Sequence, residues 1–502
     1  MKASPIEKTF KGGYCFKPFK GEIENRVVNI PIPKTVIIPL RQGYGEEVPA
    51  VVKVGANVKA GTVLGRDDSS ISTPVICSVS GVVKDIRTIL LSNGETKAVV
   101  VESDGRSSFE AMPRDYTDYR NAGADQIELM LYEGGLTALG EWGLPTRYNT
   151  GAVAPNAVKR IIITAVPTEP FVMTNQVLLS NSLRRFAIGC EILRTFYRPE
   201  SMHLAMSGKD QMLVQKMRAE LTELKVIVHE VSRKHPQAFS EVVTETCLDI
   251  KVPDRGRAID MGVLVIDAQV VLHVHDAIVE GKPLIERIVA LGGGAYSGPC
   301  AATVRIGTMI KDIVDGSIRE GIEPRIVLNS SLTGPKIIDH SVPVDRTVYA
   351  VIALEEFRER PFMHFVRPGA DYDSNSNSFL GRITGLFKRS DTNLGGELRA
   401  CISCGYCEEV CPRDLMPHYL SKCINADFPE EAETVRIFGC IECGLCSYVC
   451  PSKIPLMDDI IKGKRIIIAE EEEFRKRVEA AEEERKLSEK EESAEENETE
   501  NA

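Results

Sequence analysis

The sequence predicts a multidomain α/β protein, and three observations carry that prediction. The first 110 residues hold β-branched runs broken by Gly, Asn and Pro. Between residues 158 and 291, strand-like and helix-like runs alternate, which is the pattern of a parallel sheet covered by helices. Between Cys401 and Pro451, two Cys-rich runs of identical spacing follow one another. At 502 residues the chain has room for three or four domains, and its 43% hydrophobic content supports cores along most of its length.

Residues 1–115 read as a β domain, with strands expected at Val36–Leu40, Ala50–Val54 and Ala98–Val101. The stretches Val54–Gly65 and Pro74–Val83 resemble the barrel-sandwich hybrid of biotin- and lipoyl-carrying domains. Those carriers present a modifiable Lys at a hairpin tip; the corresponding Arg66–Ser72 has none, so a structural role is expected. Residues 120–291 read as a Rossmann-like α/β domain that opens with a Gly-rich passage, Gly134–Thr146. Strands are expected at Lys159–Val166, Glu191–Tyr197, Lys225–Val231 and Gly262–Ile266. Helices are expected at Val172–Phe186, Lys209–Leu221 and Gln269–Glu280.

Residues 292–357 read as a small β-rich domain with one helix, Arg305–Gly316, and strands at Arg325–Asn329 and Thr347–Leu354. Residues 358–396 have linker composition, including Asp-Ser-Asn-Ser-Asn-Ser at 373–378. The Cys-rich unit then occupies 397–461, with short helices expected at Leu415–Lys422 and Leu456–Ile461. From 462 to 502 a charged helix, Arg465–Lys490, leads into an acidic tail expected to lack regular structure.

The two runs read Cys401-x2-Cys404-x2-Cys407-x3-Cys411-Pro412 and Cys440-x2-Cys443-x2-Cys446-x3-Cys450-Pro451. Three thiolates at this spacing can hold three corners of a [4Fe–4S] cube from one tight loop, and in two-cluster ferredoxins the fourth Cys serves the other cluster. The spacing therefore assigns Cys401, Cys404, Cys407 and Cys450 to one cluster, and Cys440, Cys443, Cys446 and Cys411 to the second. Structural zinc needs only four ligands, usually two separated pairs, and explains two consecutive four-Cys runs poorly. The other six Cys are scattered, as buried thiols of a reducing compartment would be.

The net charge of −11 is concentrated at one end: residues 470–502 contribute −9 and leave the rest of the chain near −2. No basic face of the kind nucleic-acid binding requires is expected. The start MKASPIEKTF lacks an apolar signal region, and no uninterrupted apolar run of about 18 residues occurs, so any membrane association is expected to be peripheral. Three further features read as structural: Gly292–Gly294 as a turn, His273 and His275 as satisfied helix residues, and Glu470–Glu473 as a solvated cluster at a helix head.

The order of these parts, with Lys11-Gly12-Gly13 near the start and Glu280-Gly-Lys-Pro-Leu-Ile-Glu-Arg287, resembles the RnfC subunit of the Rnf ion-translocating electron-transport complexes. More distantly it is similar to the NADH-binding flavoprotein subunit of complex I. The resemblance implies a complex-I-flavoprotein-like α/β domain, a β-grasp-like (SLBB) domain at 292–357 and a C-terminal two-cluster ferredoxin-like α-helical domain. It also implies electrons moving from NADH through FMN to two [4Fe–4S] clusters, and attachment to membrane subunits at the cytoplasmic side of the cell membrane.

The nucleotide site departs from that family. A loop that runs Leu-Gly-Gly-Ala-x-Phe-Pro-Thr in the family reads Leu139-Gly140-Glu141-Trp142-Gly143-Leu144-Pro145-Thr146 here, which adds bulk and a negative charge where a backbone would approach phosphates. A segment with two carboxylates keeps one, Glu169, and a flavin-contacting Asn-Val is replaced by Asp267-Ala268. In this erosion, and in Gly135–Leu139, the chain resembles the NqrA subunit of the sodium-translocating NADH:quinone reductase. Gly140 and Glu169 are what remains of an FMN or NADH site, so the expected redox partner is a protein such as ferredoxin, and independent NADH oxidation is not expected. The alternatives are a flavin- and NADH-dependent soluble reductase, such as the cobalamin reductase of diol-degrading microcompartments, or an NqrA-like docking scaffold.

Overall fold

The computed structural model describes residues 7–16, 19–43, 46–67, 73–106, 108–138, 144–145, 158–172, 174–355 and 398–500. Gly140 with its neighbours 139–143, the tip residues 68–72 and the linker 358–396 lie outside them.

Near the N-terminus, Thr35–Pro39, Gly94–Ser103, Gly81–Leu91 and Asn57–Val58 form an antiparallel sheet in that order, and Val63–Gly65 pairs with Val75–Ile76 beside it. Alternation places Val36, Ile38, Val99 and Val101 on one face, where they close a core with Leu40, Leu64 and Val83. The strand expected at Ala50–Val54 is reduced to a single bridge, Ala50 to Gly65. Val51 and Val54 point to solvent, so nothing on that run's outer side completes a ladder.

The α/β domain is a parallel sheet in the order Val226–Val231, Ser201–Ser207, Arg160–Ala165, Val263–Asp267. Counted along the chain this is 3-2-1-4, so the order reverses between Arg160–Ala165 and Val263–Asp267. In open α/β sheets, ligands bind at such a switch point, beyond the carboxyl ends of the strands. The expected strand Glu191–Tyr197 is instead the second half of the helix Leu183–Tyr197. Its apolar residues continue a helical stripe, since Phe186, Ala187, Cys190, Leu193 and Tyr197 are all buried against the sheet. The strand lies at Ser201–Ser207, and Val172–Phe186 is divided at Ser182, with Thr174–Asn181 as a separate helix. Two helices, Ala124–Glu133 and Ser240–Leu248, were not anticipated. The helix expected at Gln269–Glu280 is regular over Ala268–His275 and closes with a π-turn, Asp276–Glu280.

A six-stranded mixed sheet follows, in the order Val27–Asn29, Cys300–Arg305, Glu286–Gly292, Ala350–Glu355, Pro324–Leu328, Lys336–Ile337. It draws strands from three separated parts of the chain, and Gly292–Gly294 turns away from it as expected. The helix expected at Arg305–Gly316 shrinks to Ile310–Val314, because Arg305 ends a strand that pairs along its length with Glu286–Gly292.

In the Cys-rich unit, short helices Tyr406–Glu409, Pro417–Asn425, Pro429–Thr434 and Leu445–Val449 surround the start of one long helix, Leu456–Glu500. Leu415, Leu420, Ile424, Ile437, Ile460 and Ile467 form its core. The tail expected to lack regular structure continues this helix to Glu500. Glu470–Glu473 therefore lies inside the helix and not at its head, so it does not offset the helix dipole there. Glu and Ala are strong helix formers, and Arg477 pairs with Glu473 one turn away. Among the described residues no helix is long and apolar enough to cross a membrane.

Candidate iron–sulfur site

The two Cys runs fold the same way. Ser403 and Glu442 (φ 51° and 59°), Gly405 and Gly444 (77° and 78°), and Asp414 and Lys453 (54° and 56°) hold left-handed backbone at matching places in the repeat. Left-handed residues beside right-handed ones turn successive amides inward and make a concavity suited to negative charge. Ser403 N–H lies 3.4 Å from Cys401 Sγ, Glu442 N–H 3.4 Å from Cys440 Sγ, and Leu415 N–H 3.5 Å from Cys411 Sγ.

The thiols fall into two groups that cross between the runs. Cys401, Cys404, Cys407 and Cys450 line one cavity of about 340 Å³, part of it open to solvent. Cys411, Cys440, Cys443 and Cys446 lie within charge range of one another, and Cys407 approaches Cys446 where the groups meet. Burial pushes the thiols of Cys407 and Cys440 up to about 11, and those of Cys411, Cys443 and Cys446 upward as well. Such thiols become thiolates when a cation binds them, and binding then releases protons. Two crossed sets of four sulfurs with amides aimed at them fit a pair of [4Fe–4S] clusters; soft thiolate donors suit iron–sulfur chemistry.

The two groups sit in different surroundings. Around the first, Cys404, Ser403 and Ile402 are exposed, and the apolar contacts come from Cys446, Ile454 and Leu456 of the same unit. His418 Nδ1 stands 3.9 Å from Cys407 Sγ and 3.1 Å from Glu408 Oε1. The second group is walled by other domains: Tyr14, Phe16, Phe239 and Leu332 pack with Cys443, Val410, Leu445 and Val449. Lys464 donates to the Cys440 carbonyl at 2.6 Å and pairs with Glu442.

Glu169 lies just beyond Arg160–Ala165, and Asp267 ends Val263–Asp267, so both flank the switch point of the α/β sheet. Asp267 is used as a helix cap: its Oδ1 accepts the amide of Gln269 at 2.7 Å. Glu169 turns toward His235, with Oε1 3.9 Å from Nδ1, while its Oε2 is buried without a hydrogen-bond partner. His235 is fully buried, and burial holds its imidazole below the usual value, hence neutral. Its Nε2 donates to the Cys443 carbonyl at 2.8 Å, since a carbonyl can only accept, and its Nδ1 faces the Thr168 hydroxyl at 3.5 Å. One imidazole thus joins the α/β domain to the second thiol group. No motif marks His235 in the sequence, because Cys443 is 208 residues away.

His275 Nδ1 bonds Asp276 Oδ1 at 3.0 Å, and with Glu280 they bring three donor atoms within 4.8 Å. Asp276 is also taken by Arg185, so the cluster is a neutralised ion pair. His273 departs from its expectation: its buried Nε2 has no hydrogen-bond partner.

Residues 8–106 match the RnfC barrel sandwich hybrid domain, residues 131–276 the Nuo51 FMN-binding domain, and residues 399–454 the 4Fe-4S dicluster domain. The chain is similar to the RnfC-type subunit of the proton-translocating ferredoxin:NAD(+) oxidoreductase complex of Clostridium ljungdahlii. That likeness is 27% identity over 431 residues, covering 85% of this chain and 86% of the relative. It is also similar to the corresponding subunits of the ion-translocating oxidoreductase complexes of Klebsiella pneumoniae (26% identity) and Vibrio cholerae (24%), over 78% and 82% of this chain. The chain spans about half the length of those two relatives, 48% and 49%. Among solved structures it is similar to the NAD+-reducing [NiFe]-hydrogenase in its H2-reduced state, at 13% identity and a TM-score of 0.45 over 68% of this chain and 62% of that one. That likeness is too distant to inform the fold. The resemblance to RnfC therefore extends over the barrel-sandwich, flavoprotein-like and dicluster parts.

Proposed function

We propose that this chain is the peripheral electron-transfer subunit of an Rnf-type ion-translocating oxidoreductase. The clusters, when bound, supply one-electron carriage. Cys401, Cys404, Cys407 and Cys450 hold the outer one, and Cys411, Cys440, Cys443 and Cys446 the inner one. What supports this reading is the crossed sorting of eight thiols, four open to solvent on one side and four walled by other domains. The polypeptide's task is then to hold thiolates, exclude water and aim amides at sulfur, which together set the potentials.

In this reading the outer cluster meets the partner, either a membrane-bound component or a soluble carrier such as ferredoxin. The inner cluster connects inward, toward the switch point of the α/β sheet. The mixed sheet corresponds to a β-grasp-like (SLBB) domain, residues 358–396 are a linker, and the chain sits at the cytoplasmic face of the membrane, attached through its partners. Ferredoxin is preferred over NADH because Glu141-Trp142 crowds the loop at Gly140 and because Glu169 and Asp267 are engaged elsewhere.

A second reading, a flavin- and NADH-dependent reductase, is favoured by the match of residues 131–276 to an FMN-binding domain. Anaerobic purification with iron, zinc and flavin analysis separates the two. The expected preparation holds about eight irons per chain, no stoichiometric flavin, and EPR signals that develop with reduced ferredoxin and not with NADH. Stoichiometric FMN with clusters reduced by NADH establishes the second reading; zinc in place of iron ends both.

A further inference from the structure

The Lys11-Gly12-Gly13 motif is unexplained by electron carriage, yet it touches the inner thiol group directly. Residues 7–16 form a strap along Glu230–His235. Lys8 N–H donates to the Glu230 carbonyl at 2.8 Å, and Tyr14 and His235 exchange backbone hydrogen bonds at 2.9 Å. The strap's other edge meets the first Cys run, where Gly13 N–H donates to the Val410 carbonyl at 2.8 Å and Lys11 pairs with Asp414 at 2.7 Å. Both glycines have left-handed backbone, φ 70° and 73°. A Cβ on Gly12 would lie 2.5 Å from the Cys411 carbonyl oxygen and 3.0 Å from that of Val410. A Cβ on Gly13 would lie 2.7 Å from the His235 carbonyl oxygen. These neighbours are backbone, which cannot swing aside as the end of a side chain can.

Cys411 is the ligand that crosses from the first run to the inner group. Cys443, in the second run, is fixed from the same side by the imidazole of His235. The α/β domain therefore grips both loops of the inner group, one through the strap and one through His235. The outer group's apolar contacts come from its own unit.

We propose that the strap is the positioning element of the inner cluster: Gly12 and Gly13 let it lie against the carbonyls of Val410 and Cys411 and so set Cys411 for ligation. It follows that the inner cluster assembles only on the docked α/β domain, and the outer one without it. This rests on the iron–sulfur reading of the Cys runs.

The test compares the anaerobic full chain with its Gly12→Ala and Gly55→Ala variants. Gly55 has the same left-handed backbone (φ 89°) with nothing within 4 Å, so its variant carries backbone strain alone. Wild type and Gly55→Ala are expected to hold about eight irons and show the EPR of two interacting reduced clusters; Gly12→Ala is expected to hold about four, with the simple spectrum of one isolated cluster. A Gly12→Ala protein with about eight irons and an unchanged spectrum overturns the proposal. A wild type without about eight irons instead overturns the cluster reading itself.

If Gly12→Ala loses both clusters, hydrogen exchange on the wild type decides. Amides of residues 7–16 are expected to exchange faster once iron is chelated out, because the strap and the inner cluster stabilise each other. Unchanged exchange overturns the proposal.

Discussion

Asp276 shows how a single buried charge is kept. Burial alone would raise its carboxyl, but the bond from His275 and the guanidinium of Arg185 at 2.5 Å override that and hold it at about 2. A carboxylate depressed on folding stabilises fully above its unfolded value of about 3.9, and that contribution is lost as pH falls through the folded value. Asp276→Asn is expected to cost about 2 kcal/mol at pH 7, since Arg185 is partly solvated. Urea unfolding of the α/β domain should show the gap from wild type narrowing between pH 5 and pH 2. At this scale the thiols were legible, because ligand spacing is local. His235 was not, because its role is made by Cys443 and Thr168, which only the folded chain brings to it. Glu169 was legible as a survivor of a nucleotide motif, but its turn toward His235 depends on tertiary packing.

Helices and strands were read from local pattern, and the failures have a common cause. Glu191–Tyr197 is rich in β-branched and aromatic side chains, yet those side chains extend a helical stripe begun at Phe186, and packing decided. Ser201–Ser207 (Ser-Met-His-Leu-Ala-Met-Ser) has no β-branched residue and still forms a buried inner strand, because neighbours on both sides supply its ladder. Two helix glycines carry contrasting predictions. At Gly189 a Cβ would lie 2.3 Å from the carbonyl oxygen of Val271 on the helix Ala268–His275. Overpacking against backbone costs about 1–3 kcal/mol and exceeds the gain of about 0.5–1 kcal/mol from replacing a helix glycine. Gly189→Ala should therefore lower the melting temperature of the α/β domain by several degrees. At Gly463 the nearest atoms are the side-chain ends of Ile424, at 2.4 Å and 2.5 Å, and of Ile437, at 2.8 Å. These can move, so Gly463→Ala should leave melting close to wild type in the same calorimetric scan.

The domains work together only if the Cys-rich unit stays seated on the α/β domain, and the seat is polar. Asp254 receives Arg436 at 2.7 Å and Arg413 at 3.1 Å, and Arg413, nearly buried, also donates to the carbonyls of Val252 and Gly439. Beside it, Arg255 lies over the ring of Phe438 and pairs with Glu433 and Glu471 on the surface. These pairs differ in solvation, and exposed ion pairs contribute about 0–1 kcal/mol. Glu471→Ala should thus change little. Asp254→Ala leaves the Arg413 guanidinium buried without its counter-charge, which costs about 2–4 kcal/mol. Arg436 lowers the Asp254 carboxyl, with Arg413 assisting, so the pairing is intact above about pH 4 and fails only as acid protonates it at lower pH. Hydrogen exchange at Val252–Arg257 and around Gly439 should accelerate in Asp254→Ala at neutral pH and stay at the wild-type rate in Glu471→Ala. Because Cys411, Cys440 and Cys443 lie at this same junction, a loosened seat should also let a chelator strip iron in two phases. The faster phase should remove about half of the iron. A single slow phase matching wild type would show that the seat and the inner thiols are energetically separate.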